Sequence, residues 1–274
     1  MDKRIKTLIK LLLILTLLIT HYSLLITHSF AQTEIQDYLY NYEKYREIYT
    51  KFKTTRDKYL QYHSLSSKKE AEEATLPFLT QRVETLRTYF LALKYKLKTT
   101  PGVVGTKYKA ELSSTLDKEA IWLNSHKKEI EALSSPTLDS LFEISDRLED
   151  RDLELKTLSY TALAAILLGK ERDLQAQSVA ITDLLNDRIG KVKEATQAAV
   201  LKQWLEEVKD RNYLSQEKIN TAEEELSTLE KERYIRLLLK DFSSIQENLE
   251  SSKYFLDKAL SYQKEIFKKL ANYE

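Results

Sequence analysis

Between residues 76 and 97 the apolar side chains Leu76, Leu79, Val83, Leu86, Phe90, Leu93 and Leu97 recur at alternating steps of three and four without exception. Such a 3.5-residue repeat keeps one seam of a helix turned toward a partner helix, as in coiled coils and up-down bundles. The preceding stretch writes the same pattern in aromatic form. Ile35, Tyr38, Tyr42, Tyr45, Tyr49, Phe52 and Tyr59 occupy its seam, and Arg56 is the one exception. Leu39, Ile48, Leu60 and Tyr62 widen that seam on its flanks, which suits three or more packed helices better than a two-stranded rope.

Little interrupts these helices, because the chain carries only 4 Gly and 3 Pro in 274 residues. In SLSSKKE, Ser67 with Glu70 predicts a capping box at the start of the second helix. Pro77 predicts a kink or a restart near Ala74–Pro77. TTPGVVGT at 99–106 reads as a turn in which Pro101 presets φ and Gly102 is free to take φ > 0. A third helix then carries Tyr108, Leu112, Leu116, Leu123, Ile130 and Leu133, and stops at SSPT, where Ser135 can cap and Pro136 suits the first helical position. A fourth carries Leu138, Leu141, Leu148, Leu155, Leu158, Ala162 and Ala165 toward Gly169. A fifth, over 171–211, is weakened at Gly190. The remainder is helical, with Ile219, Ala222, Leu226 and Leu229 on one seam and Ile235, Leu238, Phe242, Ile245 and Leu249 on a shifted one. The change of phase over Lys231–Arg236 marks a bend or a helix boundary. The expected fold is all-α: an elongated antiparallel helical bundle built of coiled-coil hairpins behind an N-terminal signal segment. Residues 1–31 form the signal, 32–168 a bundle of about four helices, and 169–274 a second long-helix unit, separate from the first or continuous with it.

MDKRIKTLIK is a basic opening, LLLILTLLI an apolar run, and Ser29 and Ala31 place small residues at the −3 and −1 positions of a peptidase site. The expected cleavage follows Ala31. Residues 11–31 carry no Asp, Glu, Lys or Arg and form the competing reading, a retained tether. Thr16, Thr20, His21, Ser23, Thr27 and His28 crowd its second half, which favours removal. Either way the body after Gln32 lies outside the cytoplasm, secreted or at the periplasm and surface of a bacterial cell, or held there by 11–31. Cysteine is absent, which excludes disulfides, thiolate metal sites, a cysteine nucleophile and a lipidated N-terminal cysteine. The formal charge is +1, and the signal removes Lys3, Arg4, Lys6 and Lys10 against Asp2, so the body lacks the basic footprint of a nucleic-acid binder.

Chemistry-bearing motifs are scarce. Outside the signal the histidines are His63 and His126; the latter shares a helix face with Glu129, but in the reverse of the bundle metal-site order, and reads as solvated. Carboxylates in DRLEDRDLELK and AEEELSTLEKER alternate with Lys and Arg as on a solvated helix face. No nucleophile elbow, phosphate-cradling glycine loop or dinucleotide fingerprint occurs. The expectation is therefore a non-enzyme with no catalytic residue, no metal and no cofactor. The candidate interaction surface is the tyrosine face Tyr38, Tyr40, Tyr42, Tyr45 and Tyr49, with the apolar tip Val103 and Val104. Packing alone explains the seam tyrosines as core residues with their hydroxyls reaching water; Tyr40 is exposed on either reading. The two valines either protrude or tuck over the bundle end, and Trp122 and Trp204 read as core or interface anchors. The expected role is an exported helical scaffold or protein-interaction protein of the cell envelope or exterior, binding a protein partner or itself through helical faces. It involves no nucleic acid, and the membrane only through the N-terminal segment if that is kept. The alternative is an extracytoplasmic ligand-binding helical bundle with a tyrosine-lined site.

Overall fold

A computed structural model describes residues 3–103, 107–134, 136–229, 231–232 and 234–271, with side chains from Thr33 onward, Lys107 excepted. The segment 1–31 read as a signal, with the expected cleavage after Ala31, lies outside the residues whose side chains are described. The described chain is all-α: α1 Lys3–Tyr62, α2 Leu65–Thr99, α3 Lys107–Glu131, α4 Leu138–Glu149, α5 Asp152–Ile189, α6 Ala195–Leu229 and α7 Ile235–Ala271, with a 3-10 turn at Pro101–Val103. Among the residues whose side chains are described, from Thr33 onward, no helix is long and apolar enough to cross a membrane. The chain forms two compact units, one from residues 33–98 and 107–159, the other from residues 99–103 and 160–271.

In the first unit α2 is central, with no exposed residue from 78 to 95. Val83, Phe90, Leu97, Leu116, Leu123 and Leu148 are all but inaccessible to solvent, and each such side chain contributes about 1.5–3 kcal/mol on burial. α1 runs antiparallel to α2, with Lys58 bonded to Glu70 at 2.6 Å near one end and the Tyr38 and Tyr89 rings 5.2 Å apart near the other. α3 is antiparallel to α2 through the Lys94–Asp117 and Lys127–Glu84 pairs. α4 lies along α2 in the same direction, the Leu138 N–H donating to Glu72 and Arg82 facing Glu149.

Several local expectations change. α1 ends at His63, whose φ of 45° turns the chain and directs its N–H to the Tyr59 carbonyl. Ser64 then caps α2 in a reciprocal pair with Ser67, so the box is Ser64/Ser67, while Glu70 accepts from Lys58 of α1. Pro77 starts no new helix: α2 runs unbroken through it. Pro77 and Glu73, whose carbonyl loses its helical donor, are both exposed, so water can satisfy that carbonyl. α4 is capped by Thr137 with Ser140, which leaves Pro136 outside the helix. The fourth predicted helix is interrupted at Asp150–Arg151 and, instead of stopping, passes through Gly169 to Ile189. No helix spans 171–211: α5 ends before Gly190 and α6 runs unbroken past Arg211, whereas the boundary between Leu229 and Ile235 falls where the change of phase placed it.

The second unit is a three-helix bundle of α5 from Tyr160, α6 and α7. α6 is antiparallel to both neighbours, as the Ser178–Asn212, Arg172–Glu223, Ser215–Ser252 and Lys218–Asn248 pairs show. Buried positions on α6 keep steps of four and three throughout: Leu201, Leu205, Val208, Asn212, Ser215, Ile219, Ala222, Leu226 and Leu229. α7 does the same from Ile245 to Leu270, passing through Ser252 and Gln263. Two polar layers thus interrupt an apolar core. In one, Asn212 accepts from Ser178 and donates to Thr182, while Gln263 donates to both. In the other, Ser252 bridges Ser215 and Glu171, whose carboxyl burial raises above the usual range despite the hydroxyl bond. The Pro101–Val103 turn packs onto α5 so closely that a Cβ on Gly102 would lie 1.9 Å from the Gly169 carbonyl oxygen. Gly102 is required for that backbone approach rather than for positive φ.

Candidate functional site

Among the described side chains, those of α1 from Thr33 to Tyr62 are the least covered of any helix. None of its residues from Thr33 to Tyr62 is buried. The stripe turned toward α2 is Ile35, Tyr38, Asn41, Tyr45, Ile48, Phe52, Thr55 and Tyr59, each half-covered. Asn41, Ile48 and Thr55 thus take the places predicted for Tyr42, Tyr49 and Arg56. The reason lies across the contact: α2 presents buried Gln81 and Thr85, and both donate to the Asn41 carbonyl, with Gln81 also reaching its side-chain oxygen at 3.0 Å. Buried polar groups require such partners; the backbone carbonyl would serve whatever residue stood there, but the bond to the side-chain oxygen is specific to asparagine.

Aromatic side chains flank this polar clasp. Tyr38 lies 5.2 Å from Tyr89 and 6.0 Å from Tyr42. Tyr45 and Tyr49 both face Phe78, and Phe52 stacks flat on it at 4.1 Å with an interplanar angle of 4°. Burial raises the Tyr38 and Tyr45 hydroxyl pKa values, Tyr42 adding to the first and Arg82 opposing the second. Of the sequence-derived surface, Tyr38 and Tyr45 are half-covered by α2, whereas Tyr40 (68%), Tyr42 and Tyr49 are exposed. Val103 is buried against Gly169; Val104 lies outside the described residues.

Below the Phe52–Phe78 stack, α1, α2 and α4 enclose a groove of about 520 Å³, within the ordinary range of small-molecule sites. Phe52, Phe78, Leu79 and Leu141 give it an apolar lining, and Leu60 (52% exposed) and Phe142 (60%) form apolar edges. Arg56 of α1 and Arg82 of α2 bring cations to it, and Asp146 and Glu149 of α4 bring carboxylates. These groups are loosely paired: Arg82 stands 3.8 Å from Glu149, and Arg56 3.8 Å from Asp57. Sequence reading gave no role to Arg82, Phe142, Asp146 or Glu149; the one available signal was Arg56, a charge breaking an otherwise apolar seam.

His126 is not solvated as expected, being 3% exposed. Its ring stacks on Trp122 at 5.1 Å, and Arg151, paired with Glu119, covers the same indole at 4.2 Å. Burial chiefly, and Arg147 secondarily, lower its pKa, so the imidazole is held neutral inside the first unit. Trp204 packs against the apolar cluster of the second unit. Among the described residues no group of His, Cys, Asp and Glu is arranged to hold a metal ion. No family model, curated protein or solved structure matches the chain.

Proposed function

We propose that this chain is an exported, non-enzymatic helical scaffold or interaction protein of the cell envelope or exterior, and that α1 is the element it presents to a protein partner. On this reading residues 1–31 are a signal removed after Ala31, or else 11–31 hold the body at the outer face of the membrane. The helices associate as coiled-coil hairpins along their three-four seams. One observation carries the reading: among the described side chains of α1, Thr33 to Tyr62, none is buried, yet the helix displays Tyr40, Tyr42 and Tyr49. Tyrosine offers large contact area at small entropic cost. The test places a photo-crosslinking residue at Tyr40 and, as control, at exposed Lys202 of α6, in cells that make the protein. A discrete adduct from position 40 and none from 202 supports the proposal; equal or absent adducts overturn it.

The second reading, a ligand-binding bundle, draws on the groove of about 520 Å³ between α1, α2 and α4, with its aromatic lining and groups of both charges. Here the tyrosine ladder is the wall leading to the site. A saturable rise in melting temperature with a small ligand favours it.

A further inference from the structure

In the second unit the buried line of α5 runs through Glu171, Ser178, Leu185 and Ile189. Arg172, to one side of that line, pairs with Glu223, so that side turns toward α6. Leu174, Ile181 and Leu184 lie on the other side, toward α7, and all three are exposed. On α7 the buried line runs through Ser252, Ala259, Gln263 and Ile266. Ser244 and Asn248, to one side of it, bond Glu225 of α6, whereas Leu260 and Phe267 lie on the side toward α5 and are exposed. The bonds from Gln263 to Ser178 and Thr182 set the register of these two parallel helices. Leu260 therefore stands between the levels of Leu174 and Ile181, and Phe267 stands level with Leu184. The outer furrow between α5 and α7 is thus lined by apolar side chains over about three helical turns, roughly 15 Å, while polar bridges cross the α5–α6 and α6–α7 flanks.

Apolar residues at helical spacing on two neighbouring helices form the seat of another helix. The rim of the seat is cationic. Lys170 and Arg188 extend the α5 row at its two ends, and Lys253 and Lys264 share the α7 flank, with Asp257 beside them and Asp173 and Asp187 farther round α5. Lys170, Lys253 and Lys264 are exposed, and they gather here although the body beyond residue 31 carries more acidic than basic residues. From this seat and its charge we infer that the furrow docks an acidic amphipathic helix of a partner protein, a site independent of the α1 surface. The apolar stripe of that helix lies among Leu174, Ile181, Leu260 and Phe267, and its carboxylates meet Lys170, Lys253 and Lys264. Charge argues against a second copy of the furrow as the occupant, because it would set cations against cations. Shape argues against a bilayer, because the apolar side chains line a cleft between two helices, the form in which an amphipathic helix is bound.

Fluorescence anisotropy of the purified protein tests this with two labelled synthetic helices that share one leucine stripe at three-four steps, flanked by Glu in one and by Lys in the other. The Glu-flanked helix is expected to bind saturably, at least about tenfold more tightly than the Lys-flanked one, and more weakly as salt is added. Ile181→Glu with Phe267→Glu should abolish binding without changing helicity by circular dichroism, since both side chains are exposed. Tyr213→Glu, at an exposed position of α6, should leave binding intact. Lys170→Glu with Lys264→Glu should cancel the preference for the Glu-flanked helix; this readout compares two ligands on one protein, so a general loss of fold does not imitate it. Equal binding of the two helices, no binding of either, or binding that survives Ile181→Glu with Phe267→Glu would overturn the inference. Two further arms test the other occupants. A dimer in sedimentation that the same two substitutions dissolve would assign the furrow to a second copy, and flotation with phosphatidylglycerol vesicles that they abolish, with neither helix bound, would assign it to a membrane; either result overturns the partner-helix assignment.

Discussion

Replacing Asn212 by alanine examines the polar layer inside the second unit. Its side chain accepts from Ser178 at 2.7 Å and donates to Thr182 at 3.1 Å, all three residues being buried. Two buried hydrogen bonds are lost, worth about 0.5–1.5 kcal/mol each, and the Ser178 hydroxyl proton loses its acceptor at a further cost of about 1–3 kcal/mol. The expected loss is therefore about 2–6 kcal/mol, read by urea denaturation followed by circular dichroism. The combined variant Ser178→Ala, Thr182→Val, Asn212→Leu and Gln263→Leu removes the layer as a whole. It should be more stable than Asn212→Ala, because an apolar core leaves no stranded donor. Its cost should appear instead as lost uniqueness of register: broadened amide resonances or mixed oligomers in sedimentation. A loss below about 0.5 kcal/mol for Asn212→Ala, or a combined variant less stable than the single one, would refute this account of the layer.

Other outcomes follow from single residues. His126 is neutral in the fold with a lowered pKa, so its contribution is complete above the unfolded value of about 6.5 and is lost as pH falls through that value toward the folded one; His126→Phe should flatten the stability profile below about pH 6.5. Glu171 has a raised pKa, so stability from its protonated form is present at low pH and lost as pH rises through the folded pKa. Glu171→Gln, which still accepts from Ser252, should therefore melt at a higher temperature than wild type at neutral pH. Gly102→Ala drives a Cβ into the Gly169 carbonyl and should cost about 1–3 kcal/mol, seen as a lower melting temperature. The exported protein should begin at Gln32 by intact-mass measurement, and a mass that includes Met1 would mean that the segment is retained.

The seams of α2, of α6 from Ile219 to Leu229 and of α7 at Leu238, Ile245 and Leu249 were legible because their core positions are apolar, and a step of three and four then identifies the inward face, although Ile235, read onto the same seam, is exposed. The same reading failed wherever a polar side chain occupies a core position. Asn41 rather than Tyr42 faces α2, where its side-chain oxygen accepts from the buried Gln81 amide. Ser178, Thr182, Asn212, Ser215, Ser252 and Gln263 are buried because their partners lie on neighbouring helices, and one helix read alone scores each as surface. His126 belongs with them, its cover coming from Trp122 of its own helix and from the neighbouring α4. The groove was illegible for a related reason: Arg56, Arg82, Asp146 and Glu149 come from three helices and meet only after packing.

The central claim is that α1 is held on α2 by a half-wetted contact and is the element free to engage a partner. Native-state hydrogen exchange measures this directly. Amides of α1 from Tyr38 to Tyr59 are predicted to exchange at least about tenfold faster than those of α2 from Val83 to Leu93, through local opening that leaves the rest of the first unit protected. Equal protection of the two helices, lost only on global unfolding, would contradict the account.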